Sequence, residues 1–114
     1  MEHFTISPLA DAPAGFRIFR LDGPFALPSI WDFQSRVRGG APENTILDVA
    51  GVPYMDSAAL GSIMGVYVSC QRQHKKLGMV GVNDRLSTLF QVSGVDGILS
   101  SYPTIEQAIQ AMKQ

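Results

Sequence analysis

Apolar and polar positions alternate through FRIFRLDG, residues 16–23, with Phe19 and Leu21 on one side of an extended chain and Phe16 and Ile18 on the other. That period of two predicts a β-strand, and the shorter FTIS (Phe4–Ser7) predicts a partner strand before it. Pro8 and Pro13-Ala14-Gly15 break the pattern between them, so the pair is expected to be antiparallel. After Gly23-Pro24-Phe25-Ala26 the period changes. Ile30, Phe33 and Val37 follow a three-to-four spacing, which predicts a helix over 29–38 with Pro28 at its start and Gly39-Gly40 at its end. Trp31 borders that stripe and is expected to pack in the core or at its edge. TILDVAGV, residues 45–52, is the clearest strand, with Leu47 and Val49 on one face and Ile46 and Asp48 on the other.

From Asp56 to about His74 the pattern is helical, with Leu60, Ile63, Met64, Tyr67 and Val68 as its stripe. Ala59, Gly61, Ser62, Gly65 and Ser69 make this helix slim. Each glycine costs about 1 kcal/mol of helix propensity, so close packing is the expected reason for them. LGMVGV (77–82) predicts the next strand, and Asn83 caps a short helix facing inward through Leu86, Leu89 and Phe90. Gly94 is expected to end that helix in a left-handed conformation. GILSSY (97–102) predicts the last strand. Thr104, with Gln107 three residues on, opens a final helix whose stripe is Ile105, Ala108, Ile109 and Met112.

Strands that alternate with helices in this way predict an α/β fold: a mixed, mostly parallel sheet of about five strands. If each strand joins beside the last, the crossover helices share one face, which makes a one-sided βα superhelix. The chain has 114 residues, the size of one domain, and a single domain over 1–114 is expected. Its net charge of -1 offers no electrostatic footprint for nucleic acid. No apolar run is long enough to span a membrane, the start lacks a signal-peptide layout, and a cytosolic location follows by default. Cys70 is the single cysteine, so no internal disulfide can form, and its mid-helix place suits a small buried residue.

Catalytic chemistry is not evident. His3 and His74 have no carboxylate at a suggestive spacing, and no Cys/His cluster makes a metal site. The glycines match neither a P-loop nor a nucleophile elbow. Asp48 and Asp56 lack a third acid for a metal-dependent receiver pocket. No enzyme activity, cofactor or metal is expected. The junction YMDSAALG is the point of chemical interest. Asp56 and Ser57 are both good helix caps, and Asp56 suits the positive end of a helix dipole. A hydroxyl held there is also a surface position at which phosphorylation adds roughly -1.5 to -2 charges. Capping and modification both remain open on these residues alone.

The run ILDVAGVPYMDSAALGSIMGVY resembles the central signature of STAS domains: a strand with Leu-Asp, a hydrophobic-Asp-Ser motif, a small pair, Leu-Gly and a slim helix. RLSTLFQVSGV resembles the second marker of that family, through Leu89, Phe90, Ser93 and Gly94. The resemblance covers nearly the whole chain and implies the one-sided superhelix expected above. It also implies a partner-switching role like that of anti-sigma factor antagonists. In that scheme the partner is an anti-sigma factor that is also a serine kinase, phosphorylation falls on Ser57, and a phosphatase reverses it. The implied partner-binding residues are Asp56, Ser57, Ala58, Ala59, Gly23 and Phe25, and a homodimer is compatible. Many antagonists carry Gly-Glu-hydrophobic-Asp where this chain has Gly23-Pro24-Phe25-Ala26, and Ser-Ser-Gly where it has Ser57-Ala58-Ala59. The alternative is a scaffold or ligand-sensing module of a larger signalling assembly, not phosphorylated.

Overall fold

A computed structural model describes residues 3–37 and 43–113. The expected end of the first helix, at Arg38 to Gly40, lies outside these residues. The elements run β1 (Thr5–Pro8), β2 (Phe16–Asp22), a 3-10 turn (Leu27–Ser29), α1 (Ile30–Val37), β3 (Asn44–Gly51), α2 (Ser57–Arg72), β4 (Leu77–Val80), α3 (Asp84–Val92), β5 (Ser100–Tyr102) and α4 (Ile105–Met112). The strands stand in chain order, β1-β2-β3-β4-β5. β1 pairs antiparallel with β2, and every later pair is parallel.

The period-two pattern of each strand feeds two separate cores. Phe19, Leu21, Leu47, Val49 and Met79 point to the face covered by α1, α2 and α3, where they meet Phe33, Leu60, Ile63, Leu86 and Phe90. Phe16, Ile18, Ile46 and Val80 point to the other face, where α4 sets Ala108 and Met112 against them. The three crossover helices therefore share one face and the terminal helix covers the other. Burying a large apolar side chain stabilises by about 1.5–3 kcal/mol, so the first and larger core dominates the fold.

Several local expectations are corrected. Trp31 is 81% exposed rather than packed. It lies roughly 130° around the helix from the Ile30-Phe33-Val37 stripe, since each residue turns about 100°. Val68 is 45% exposed, and Cys70, Ala59 and Ser62 take the inward positions of α2 instead. A Cβ added at Gly61 or Gly65 would touch nothing within 4 Å, so neither glycine serves packing inside this chain. Ser69 is exposed as well. Gly94 does end α3 with φ +75, and the amides of Gly94 and Val95 reach back to Gln91 and Phe90. That is the paired hydrogen-bond pattern of a Schellman motif. α2 ends in the same motif, through His74 and Lys75 to Gln71 and Cys70, but there His74 takes the left-handed position at φ 58.

Candidate functional site

β2, β3 and β4 all end on one side of the molecule, where the chain turns back into α1, α2 and α3. Sites in open α/β sheets form beyond the carboxyl ends of the strands, because the loops there are free to vary. The junction of β3 and α2 lies on that side. The segment after Gly51 runs parallel to the segment after β2, with Phe25 bridging Met55. The Phe25 amide donates to the Tyr54 carbonyl at 3.1 Å, and the Asp56 amide donates to the Phe25 carbonyl at 3.2 Å. Two loops are thereby tied edge to edge without being part of the sheet proper.

Asp56 completes the tie. Its backbone is extended and it is the N-cap of α2, with one carboxylate oxygen accepting the Ala59 amide at 2.8 Å. The other oxygen accepts the Leu27 amide at 3.0 Å, the first amide of the 3-10 turn that leads into α1. A single carboxylate thus satisfies amides at the starts of two helical segments, which otherwise need partners outside the helix. Asn83 repeats the device next door. Its side chain accepts the Leu86 amide at 2.9 Å to cap α3, and donates to the Val52 carbonyl at 3.0 Å.

With the cap carried by Asp56, Ser57 is left as the first residue of α2 and is exposed. Its hydroxyl stands at the positive end of a 16-residue helix, among amides that no earlier carbonyl in the helix can accept. Ala59, Leu60 and Ile63 anchor the helix from beneath, at 4% exposure or less. Ala58 is half-buried beside Ser57.

The other three residues expected to face a partner are placed differently. Phe25 is fully buried, stacked on Phe4 with ring centroids 4.8 Å apart and against Phe33 at 4.9 Å. Ala59 is fully buried too. Both support the surface, and neither offers its side chain to it. Gly23 is half-buried with φ +86, and a Cβ there would overlap the His3 carbonyl, so its role is to let two backbones pass closely. Asp48 also stays out of the site. It is held on the α4 face of the sheet by the Ala50 amide at 3.0 Å and by Arg20 at 3.4 Å.

At this end of the molecule the structure also exposes Leu27 and Tyr54, which the sequence did not single out, and Trp31, which was expected to pack. Leu27, whose amide is bound by Asp56, exposes 67% of its surface, and Trp31 lies about one helical turn beyond it. Tyr54, two residues before the cap, is 42% exposed and stands under the Arg85 guanidinium, 5.6 Å from the ring centroid. A helical wheel of residues 30–37 shows Trp31 on the polar side and could have found it. Leu27 and Tyr54 sit in loops without a period and carry no such signal. Among the described residues, no group of three or more His, Cys, Asp or Glu side chains could hold a metal ion. No helix among them is long and apolar enough to cross a membrane.

The family model of the STAS domain matches residues 7–108. The chain belongs to the STAS domain family. This STAS domain is 25% identical over 75 residues to the anti-sigma-B factor antagonist of Staphylococcus aureus, covering 66% of this chain and 69% of that protein. Its fold superposes on an anti-sigma factor antagonist from Mycobacterium paratuberculosis with a TM-score of 0.77, at 18% identity and 96% coverage of both chains. It superposes equally on a sulfate transporter family protein from Wolinella succinogenes, with a TM-score of 0.76, 23% identity, and coverage of 89% of this chain and 87% of that one. At such identities the two structures establish the fold alone, which anti-sigma factor antagonists share with transporter proteins. By sequence this STAS domain is anti-sigma factor antagonist-like.

Proposed function

We propose that this STAS domain is a protein-binding regulatory module whose docking surface centres on Ser57. Its partner is an anti-sigma factor that is also a serine kinase, and phosphorylation of Ser57 ends the docking. The observation that carries this reading is the division of roles at the start of α2: Asp56 holds both helical segments, while Ser57 presents an exposed hydroxyl. In the transfer, the γ-phosphorus of a nucleoside triphosphate on the partner bonds to the Ser57 oxygen. The bond to the departing diphosphate breaks, and the hydroxyl proton is lost. The product carries roughly -1.5 to -2 charges on a helix start that tolerates an anion, so the fold survives while the docking surface changes sign. A phosphatase removes the group by hydrolysis and restores binding.

Two further features support docking at this end. Leu27 and Tyr54 offer exposed apolar area on the two loops tied at the start of α2, Trp31 adds more about one turn beyond Leu27, and Trp and Tyr are enriched in interface hot spots. Gly61 and Gly65 continue from Ser57 along the exposed side of α2, one and two turns on, where they cost helix propensity and pack against nothing in the chain. A partner surface lying close along α2 accounts for them.

The experiment is co-purification of the tagged chain from its native host, with mass spectrometry for bound partners and for phosphate on Ser57. Affinity for the recovered partner is then measured by calorimetry for wild type, Ser57→Ala, Ser57→Asp and Trp31→Ala. Ser57→Ala is expected to bind like wild type. Ser57→Asp is expected to bind about tenfold or more weakly, and Trp31→Ala to lose about 2 kcal/mol, as a hot-spot residue does. Equal affinity in all four proteins removes this surface from the interface.

A further inference from the structure

At the far end of α2 from Ser57 lies an open pocket of about 340 Å³, within the range of roughly 300–1,000 Å³ typical of small-molecule sites. Along α2 the first residue that lines it, Tyr67, stands ten residues from Ser57, or about 15 Å. The pocket is formed where the last turns of α2 meet the starts of β4 and β5 and the end of α4. Its buried apolar residues come from opposite faces of the sheet, Leu77 from the α2 side and Met112 from the α4 side, and Ile98 is left 43% exposed in its wall. Tyr67 and Tyr102 contribute rings from opposite elements, a helix and a strand. The polar groups are mostly donors: Lys75, Lys76, Gln71, Ser100 and the two tyrosine hydroxyls. Among the described residues, no lining side chain is acidic.

The donors are also partly prearranged. The Gln71 side-chain amide donates to the Tyr67 hydroxyl oxygen at 2.6 Å, a bond that does not use the tyrosine proton. The Lys75 amide is pinned to the Cys70 carbonyl at 2.8 Å, and the Lys76 amide to the Asn44 side-chain oxygen at 2.9 Å. Those bonds fix where both lysine stems begin, while each ammonium stays on a flexible four-carbon stem. The turn that aims them passes through His74 in the left-handed region, where most side chains are strained. The carbonyl end of α2 opposes an anion here, and the amides of Gln73, His74 and Lys75 offset this in part by occupying the Cys70 and Gln71 carbonyls.

From this arrangement we infer that the pocket binds a small aromatic anion, a phosphate or carboxylate carried on a ring. The ring lies against Tyr67 and Leu77 on the α2 side of the sheet, and the anion meets Lys75 and the Tyr67 hydroxyl. The inference is independent of the switch at Ser57, which stands at the other end of the helix.

The test is a titration of the isotopically labelled full chain, followed by amide chemical shifts, with phenyl phosphate and benzoate as anionic probes and phenol and inorganic phosphate as controls. At least one anionic probe is expected to bind with a dissociation constant on the order of millimolar. Its shifts should be confined to residues 67–77, 98–102 and the end of α4 around Met112. Lys75→Glu should weaken that binding about tenfold or more, as loss of a charge-assisted contact does. Tyr67→Phe, which leaves every charge in place, should weaken it by less, yet measurably. Four results overturn the inference: no saturable shift with either anionic probe, shifts centred on residues 54–60, phenol binding as well as the anions, or inorganic phosphate alone binding as well as phenyl phosphate. Unchanged affinity in both variants overturns it equally.

Discussion

Asp56 and Ser57 are neighbours of similar size and polarity, yet the structure predicts opposite consequences for removing them. Asp56→Ala deletes two acceptors. Losing the N-cap bond to the Ala59 amide costs about 1 kcal/mol. The bond to the Leu27 amide is exposed, so water replaces part of it, and a further cost of about 1 kcal/mol follows. The sum is about 2 kcal/mol. For 114 residues the unfolding entropy is about 0.24 kcal/mol/K, so the melting temperature should fall by about 8 °C. Asp56→Asn keeps an oxygen for Ala59 but turns an amide group toward the Leu27 N–H, and should cost about half as much. Ser57→Ala touches neither bond and should stay within about 0.5 kcal/mol of wild type. Urea unfolding of the three variants, fitted as two-state transitions with a common slope, reads these differences directly. Equal losses in Asp56→Ala and Ser57→Ala would mean that the cap is shared, and the division of roles at this junction would be wrong.

Three further outcomes are expected. Gly65→Ala should stabilise by about 1 kcal/mol in chemical denaturation, because the helix gains propensity and the new methyl meets nothing; a loss of stability would show that the glycine packs after all. His74→Gly should raise the melting temperature by relieving a left-handed non-glycine residue worth about 1 kcal/mol, and an unchanged melt would show that the position is unstrained. Gly94→Val should lower it by at least as much, since φ +75 is hostile to a β-branched residue even with open space around it; a neutral melt would refute the assignment of Gly94 as the end of α3.

Much of the fold was legible because its signals are local. Asn83 and Thr104 are caps that announce the helices they start, Gly94 announces an end, and the alternation in Phe16–Asp22 sorts its side chains onto the correct two cores. The position of Ser57 was legible for the same reason, since an Asp-Ser pair before a helical stripe has few places to go. What escaped depends on contacts between distant segments. Phe25 lies in a loop with no period, and only the convergence of Phe4 and Phe33 on it reveals that it is core. Gly61 and Gly65 match a close-packed helix in sequence, but which face they occupy depends on where the sheet lies. Trp31 misled for a different reason: bulk suggested burial although its angle on the helix did not. The pocket beyond the end of α2 draws on segments more than forty residues apart in the chain, from Tyr67 to Met112, and no single stretch hints at it.

The carboxylate of Asp56 has one more consequence, for how this chain can change over generations. Because folding depends on residue 56 and hardly on residue 57, selection for a stable protein leaves position 57 nearly unwatched. A mutation there passes through the cell as a folded, abundant protein, differing only in what its surface says to others. Loss of the regulatory signal proposed for that position would therefore leave no misfolded debris and trigger no quality control. It would yield a lineage of sound proteins with one setting locked, open to a new use of the same scaffold.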